Sequence, residues 1–239
     1  MNIEELSELD DLREVAQLFL DVWGRATEPP INSDLLRALS LSGNYIAGSR
    51  LEGRLVGGIV GWWGRHRTGE LHMHSHILGV LPGSDAKGLG FALKQHQRTW
   101  CLDRGIKTIE WTFDPLVRRN ASFNLRKLGA DAAAYLVDFY GPMQDGINAG
   151  DESDRILIRW DLESPKAEAA ARGVSHEVAK SADVQACETP EDIVAIRRTD
   201  PAQARRWRHA LRETLGTHMM AGGRVRGLTR DGWYVLDPN

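Results

Sequence analysis

Glu70-Leu71-His72-Met73-His74-Ser75-His76-Ile77-Leu78-Gly79-Val80 runs directly into Leu81-Pro82-Gly83-Ser84-Asp85-Ala86-Lys87-Gly88-Leu89-Gly90, and the fold turns on how that join is read. The first half reads as a long strand, and Pro82-Gly83 breaks it. Leu89, Ala92, Leu93, His96 and Trp100 then recur at helical spacing, so a helix starts near Gly88, and Gly105 stands where its C-cap wants positive φ. The first N–H groups of a helix lack internal partners and carry the positive end of the dipole. Glycines at that point let an anion such as a diphosphate approach the backbone. A dinucleotide fingerprint G-x-G-x-x-G fails here, because Leu93 stands three residues beyond Gly90. A plain tight turn is the bland alternative.

Upstream, Ile3 to Leu9 reads as a first strand, and Asp11 with Glu14 as a capping box. Leu12, Val15, Ala16, Phe19, Leu20 and Trp23 then form one buried helical face, and Pro29-Pro30 stops that unit. Ser33 is placed to cap a short second helix through Leu39. Tyr45 to Ser49 and Leu55 to Trp63 flank Glu52-Gly53 as a hairpin. Downstream, Ile109, Trp111 and Phe113 alternate as a strand, and Val117, Ala121, Leu125 and Leu128 make a helical stripe that Gly129 ends. Strands that interleave with helices in this order predict a mixed α/β fold around one sheet.

After Tyr140 a glycine-rich loop spans Gly141 to Asp154, and Ile156, Ile158, Trp160 and Leu162 alternate as another strand. Glu163 to Ala186 is rich in Ala, Glu, Lys and Ser and is expected to be a mobile excursion. Asp200-Pro201 starts a helix with cap and N1 proline in the favoured order, and Trp233 to Leu236 is a closing strand. The organisation expected is a core over 1–162, an excursion over 163–186, and a helix–strand extension over 187–239 that completes the same domain on the same sheet.

The bulk properties exclude several classes. Of 239 residues, 42% are apolar, enough for a real core, and the net charge of −3 gives no bulk attraction to nucleic acid or an acidic membrane surface. Cys101 and Cys187 form no C-x-x-C pair, so neither a disulfide framework nor a zinc knuckle is implied. The N-terminus is acidic where a secretory signal is basic, and no apolar run approaches the ~20 residues of a membrane span. A cytoplasmic protein is expected, and a homodimer stays open.

The join at Val80–Gly90, followed by Gly105, a strand, Asn120-Ala121 and Lys127-Leu128-Gly129, resembles the GNAT N-acyltransferase superfamily. It resembles more closely a subgroup of acyltransferases with His74-Ser75-His76, Trp111-Thr112-Phe113-Asp114-Pro115-Leu116, Arg119-Asn120-Ala121 and Asp145-Gly146-Ile147-Asn148-Ala149-Gly150. The resemblance covers about residues 70 to 155. It implies a mostly antiparallel sheet flanked by helices, acyl-CoA (acetyl by default) as co-substrate and an amine acceptor. It implies that Lys87, Gly88, Leu89 and Gly90 hold the diphosphate, and that N–H groups near Leu78, Gly79 and Val80 face the oxyanion. Two departures stand out. Asp85 replaces the usual Gln or Arg, so Asp85→Gln is expected to tighten CoA binding. Leu125 stands where many members carry the tyrosine that protonates the thiolate, which leaves Tyr135, Tyr140 or water for that task.

Acyl transfer to an amine needs a base of near-neutral pKa. Period two puts His72, His74 and His76 on one strand face, with His76 nearest the expected thioester as first choice and His74 second. Two other readings remain open: satisfied polar residues at a sheet surface, and a zinc pair at i and i+2, although no metal is expected because no acidic ligand accompanies them. Asn120 either holds the pantetheine arm or caps the following helix. Thr112 and Asp114 share a strand face that suits an acceptor, with Asp114 a candidate for its ammonium, and Arg155 is a candidate for a carboxylate. The arginines around Trp207 form a solvated face or meet an anionic ligand or partner. The function expected is transfer of an acetyl, succinyl or other acyl group to a small-molecule amine such as an amino acid. The competing classes are a non-catalytic acyl-CoA sensor and a histidine-cluster metalloenzyme.

Overall fold

The computed structural model describes residues 2–23, 29–84, 86–143, 151–181 and 184–238. Asp85 and residues 144–150 therefore lie outside the described residues, and with them the Asp85 expectation and the whole Asp145–Gly150 motif. The fold is mixed α/β, with mostly antiparallel strands flanked by helices. The chain divides into two compact units, Met1–Ile109 and Glu110–Asn239. The division falls inside the strand Thr108–Phe113.

In the first unit the strands β1 (Ile3–Glu5), β2 (Tyr45–Leu51), β3 (Arg54–Arg65) and β4 (Leu71–Val80) lie side by side, each antiparallel to the next. The hairpin expected across Glu52-Gly53 joins β2 and β3. Helix α1 (Leu9–Trp23) starts before the expected capping box. Asp11 therefore sits inside the first turn, where it pairs with Arg50 at 2.6 Å. Helix α2 (Ser33–Leu41) is capped by Asn32 and not by Ser33, with Asn32 Oδ1 accepting from Leu35 N at 2.9 Å. Leu12, Val15, Phe19 and Leu36 of these helices pack on Ile46, Val60 and Ile77 of the strands. Helix α3 (Leu89–Leu102) buries Leu89, Leu93, Trp100 and Cys101.

The β3–β4 pairing holds a feature that alternation alone does not predict. Gly61 faces Ser75, but Val60 faces Ile77, so His76 is an extra residue and β4 bulges there. Before the bulge Ser75 meets Lys94 of α3, and beyond it Leu78 and Val80 approach Gly90 of α3. The intervening Ile77 and Gly79 instead meet α1 and its cluster.

The second unit carries β5 (Thr108–Phe113), β6 (Asp131–Leu136) and β7 (Arg155–Asp161), in the lateral order β5-β7-β6. The helical stripe expected from Val117 is α4 (Arg118–Ala121) continued by a π-helical turn, Ser122–Lys127. Gly129 ends it at φ 65°, and a Cβ there would lie 2.8 Å from Lys166 O, so only glycine lets that backbone approach. The expected excursion begins with a helix, α5 (Pro165–Ala171), whose cap Ser164 and buried Ala167 and Ala170 tie it down. Helices α6 (Ile193–Thr199), α7 (Pro201–Leu211) and α8 (Thr217–Met220) follow, with a π-helical turn, Arg212–Gly216, between the last two. Asp200 caps α7 as expected, accepting from Gln203 N.

One correction concerns the closing strand. β10 (Trp233–Leu236) does not join the central sheet but pairs with β8 (Ala186–Glu188) and β9 (Val225–Leu228) as a separate three-stranded sheet. Tyr234 explains the choice physically: its fully buried ring delivers the hydroxyl to Pro115 O at 2.8 Å, which pins the small sheet by its buried face.

Candidate active site

In the first unit the strand end and the helix start meet as the diphosphate reading requires. Gly88 takes φ 83° as the N-cap of α3, a conformation that L side chains rarely adopt. Among the described residues no side chain caps this helix and its first turn holds no acid; Leu89 N donates to Ala86 O at 3.1 Å, which leaves the N–H groups of Gly90 and Phe91 for an anion from outside the chain. A Cβ on Gly88 would meet nothing within 4 Å, and Lys87 and Gly88 are both exposed, so the approach is clear. Leu89 instead turns inward and is buried. A Cβ on Gly90 would lie 3.6 Å from Leu78 Cδ2 and 4.0 Å from Val80 Cγ2, which places the end of β4 against the first turn of α3. Leu78, Gly79 and Val80 themselves pair with Ile59, Gly58 and Gly57.

The histidines of β4 sort into different environments. His72 stacks on His66, with ring centroids 4.2 Å apart. His74 and His76 both lie against the indole of Trp62, at 5.0 and 4.4 Å, and 5.8 Å from each other. Burial pushes His74 down to about 4, with His76, His72 and Lys94 adding repulsion. His76 is the exposed member of the pair, and partial withdrawal from water lowers its pKa as well. Both rings are thus neutral near pH 7. The bulge makes His76 the residue that breaks the alternation, so the three histidines do not form the regular row that period two implies. Among the described residues no group of three candidate metal ligands includes His74 or His76.

Sequence reasoning missed two residues here. Trp62 is the ring that both histidines touch, and its place opposite His74 in the hairpin was the available signal. Lys94 is buried, donates to Ser75 Oγ at 2.7 Å and is pushed down to about 7 by its burial. Its position three residues before Gln97 and seven before Cys101 on the inner face of α3 could have revealed it.

In the second unit several expectations change. Asp114 was expected to bind an acceptor ammonium, but it is buried and its carboxylate is already engaged. Both its oxygens accept from Arg208 at 2.9 Å, and Arg197 donates to it as well. Although burial opposes ionisation, the arginines hold Asp114 down at about 2. Arg155 is buried too, donating to Asp154 O at 2.9 Å beneath the ring of Tyr140. Thr112 is half-buried and shares a 3.0 Å hydrogen bond with Tyr140 Oη. Asn120 is exposed on the third residue of α4, whose N-cap is Val117, so capping is not its role.

Leu125 is buried in the π-helical turn. Of the tyrosines considered in its place, Tyr135 is buried and donates to Asp154 Oδ2 at 2.6 Å. Burial and that carboxylate push its pKa up, which leaves Tyr135 a poor acid; Tyr140 stays half exposed. The basic helix around Trp207 is not simply a solvated face. Arg208 is fully buried, and with Arg197 it also grips Asp151, while Arg212 pairs with Glu152 and Asp154.

Residues 9–129, just over half of the chain, match the model of the acetyltransferase (GNAT) family. The chain belongs to that family. Among curated proteins no sequence matches it. Solved GNAT enzymes share the fold at low identity. The ribosomal-protein-S18-alanine N-acetyltransferase of Escherichia coli aligns at 15% identity and TM-score 0.54, over 68% of this chain and 94% of that one. Chaetomium thermophilum Naa20, bound to a bisubstrate analogue, aligns at 15% and 0.53, over 67% and 86%. Arabidopsis thaliana Naa50, bound to a bisubstrate analogue of CoA and a peptide, aligns at 15% and 0.51, over 66% and 96%. A GNAT acetyltransferase domain makes this protein a transferase, with an acyl-CoA as its co-substrate. No helix among the described residues is long and apolar enough to cross a membrane.

Proposed function

We propose that this GNAT protein transfers an acyl group, acetyl by default, from CoA to the amine of a small molecule. The observation that carries the donor half is the open first turn of α3, set at the end of β4 by the left-handed Gly88. Its N–H groups and dipole suit the diphosphate, with Lys87 at the turn as a second positive group. The CoA thioester supplies an activated acyl carbon.

The remaining chemistry belongs to the chain. His76 takes the proton from the incoming ammonium, because its imidazole is neutral near pH 7 and reaches solvent. His74, pushed down to about 4, is too weak a base to compete and instead packs against Trp62. Backbone N–H groups near Leu78 to Val80 are assigned to the oxyanion. With Leu125 apolar and Tyr135 tied to Asp154, the thiolate takes its proton from Tyr140 or water. Asn120 is exposed and is assigned to the pantetheine arm, with Thr112 and Arg155 as candidates on the acceptor side. The test is thiol release: the protein with acetyl-CoA or succinyl-CoA and mixed amines should liberate free CoA only when an amine is present. Tight CoA binding with no thiol release under any amine would instead favour a sensor.

A further inference from the structure

Trp62 belongs to two groupings. Its indole touches His76 and His74, and it also lines a cavity of about 440 Å³ whose other walls among the described residues are Leu35, Leu39, Ser42, Asn44 and Trp63. That volume falls in the range of small-molecule sites, roughly 300–1,000 Å³. All of these residues belong to the first unit. Resting on the acyltransferase reading above, we infer that this cavity seats the carbon side of the acceptor, and that the acceptor is a primary amine bearing an apolar or aromatic group.

The wall chemistry carries the inference. Among the described residues no side chain lining the cavity is ionisable. Most of its polar atoms are also already spent. Asn44 Nδ2 donates to Leu39 O and its Oδ1 accepts from Trp63 N, while Trp63 Nε1 donates to Gly43 O. What remains of the described lining is chiefly two indoles and two leucines, of which Leu35 is 50% exposed and so free to meet a ligand. A polycation would need carboxylates at this wall, and its described residues supply none. An amine with an apolar group would bury that group beside Trp62, leaving its nitrogen toward the histidine rings 4.4 to 5.0 Å from the indole centroid. The same chemistry is offered by a free amine and by a peptide whose first residue is apolar.

The test measures thiol release from acetyl-CoA with 2-phenylethylamine, leucine amide, a Leu-Ala-Gly-Gly peptide, ethanolamine and spermidine, and binding of 2-phenylethylamine by calorimetry. The apolar amines should turn over with the lowest KM. Leu35→Gln at a half-exposed position, and Leu39→Gln beside it, should raise that KM about tenfold while kcat/KM for ethanolamine stays unchanged. Preference for the peptide over leucine amide would support the cavity and assign it to protein N-termini. Preference for spermidine or ethanolamine, with both variants silent, overturns the cavity and leaves the acyltransferase intact. Binding of 2-phenylethylamine that Leu35→Gln weakens, without thiol release by any amine, keeps the cavity and overturns the acyltransferase. Neither binding nor release overturns both.

Discussion

A histidine acts as a base only while its imidazole is neutral, and two histidines two residues apart on β4 meet that condition differently. His76 is lowered by partial burial yet remains exposed, so kcat/KM should rise with pH through a limb below 6.5 and be flat above it. His76→Gln should cost about a hundredfold in kcat and erase that limb, which a pH–rate profile reads directly. His74 tells a different story, one of stability. The folded ring titrates near 4 and the unfolded one near 6.5. Between those values the unfolded chain binds a proton that the folded chain refuses, so stability is full above pH 6.5 and falls as pH drops toward 4. His74→Phe should flatten that decline in melting temperatures measured from pH 7 to 4; an unchanged slope would mean that the ring is not buried as described. The sequence announced both histidines but not their difference, because the bulge that exposes His76 and the indole that covers His74 are properties of the β3–β4 pairing.

At the scale of elements, the join of β4 to α3 was legible because each signal is local: alternation, a Pro-Gly break, then helical spacing from Leu89. Gly88 is its pivot. Replacing it with Ala asks an L residue to hold φ 83°, which costs roughly 1–2 kcal/mol and is relieved by moving the first turn of α3. Gly88→Ala should therefore weaken CoA binding about tenfold or more in calorimetry while lowering the melting temperature only modestly. The hairpin β2–β3 and the strands β5 and β7 were legible on the same grounds. β6 was not, because Asp131-Ala132-Ala133-Ala134 lacks the β-branched residues and the clean alternation that mark a strand. The three-residue β8 is too short for any period to register, β9 carries Gly227 in its interior, and α6 lasts only Ile193–Thr199. Asn32 took the cap from Ser33 because the two neighbours are nearly equal cap formers, and only backbone geometry separates them. The π-helical turn around Leu125 has no sequence mark at all.

On the scale of the whole chain, the second unit shows why 187–239 is not an appendage. Its arginines complete the charge balance of acids that stand far earlier in the sequence: Asp114, which follows β5, and Asp151 to Asp154 just before β7. Read as sequence, Asp114 suited a substrate ammonium and the basic helix suited solvent; neither reading could foresee that the two neutralise each other across 94 residues. A buried ion cluster of this kind is costly to break and not especially stabilising in itself, since each ion has given up its water. Asp114→Ala should accordingly lose about 3–5 kcal/mol in urea unfolding, because Arg208 is left fully buried with Asp151 alone. Pairing that change with Arg208→Met should recover part of the loss, for the methionine needs no counter-charge. A double mutant that loses the sum of the two single changes would show that the residues do not act as one unit. The cluster should also ignore salt. Adding 0.5 M NaCl should screen the exposed Arg13–Asp10 pair but leave the cost of Asp114→Ala unchanged, because the side chains of Asp114 and Arg208 are only 5% and 0% exposed and dissolved ions cannot come between them.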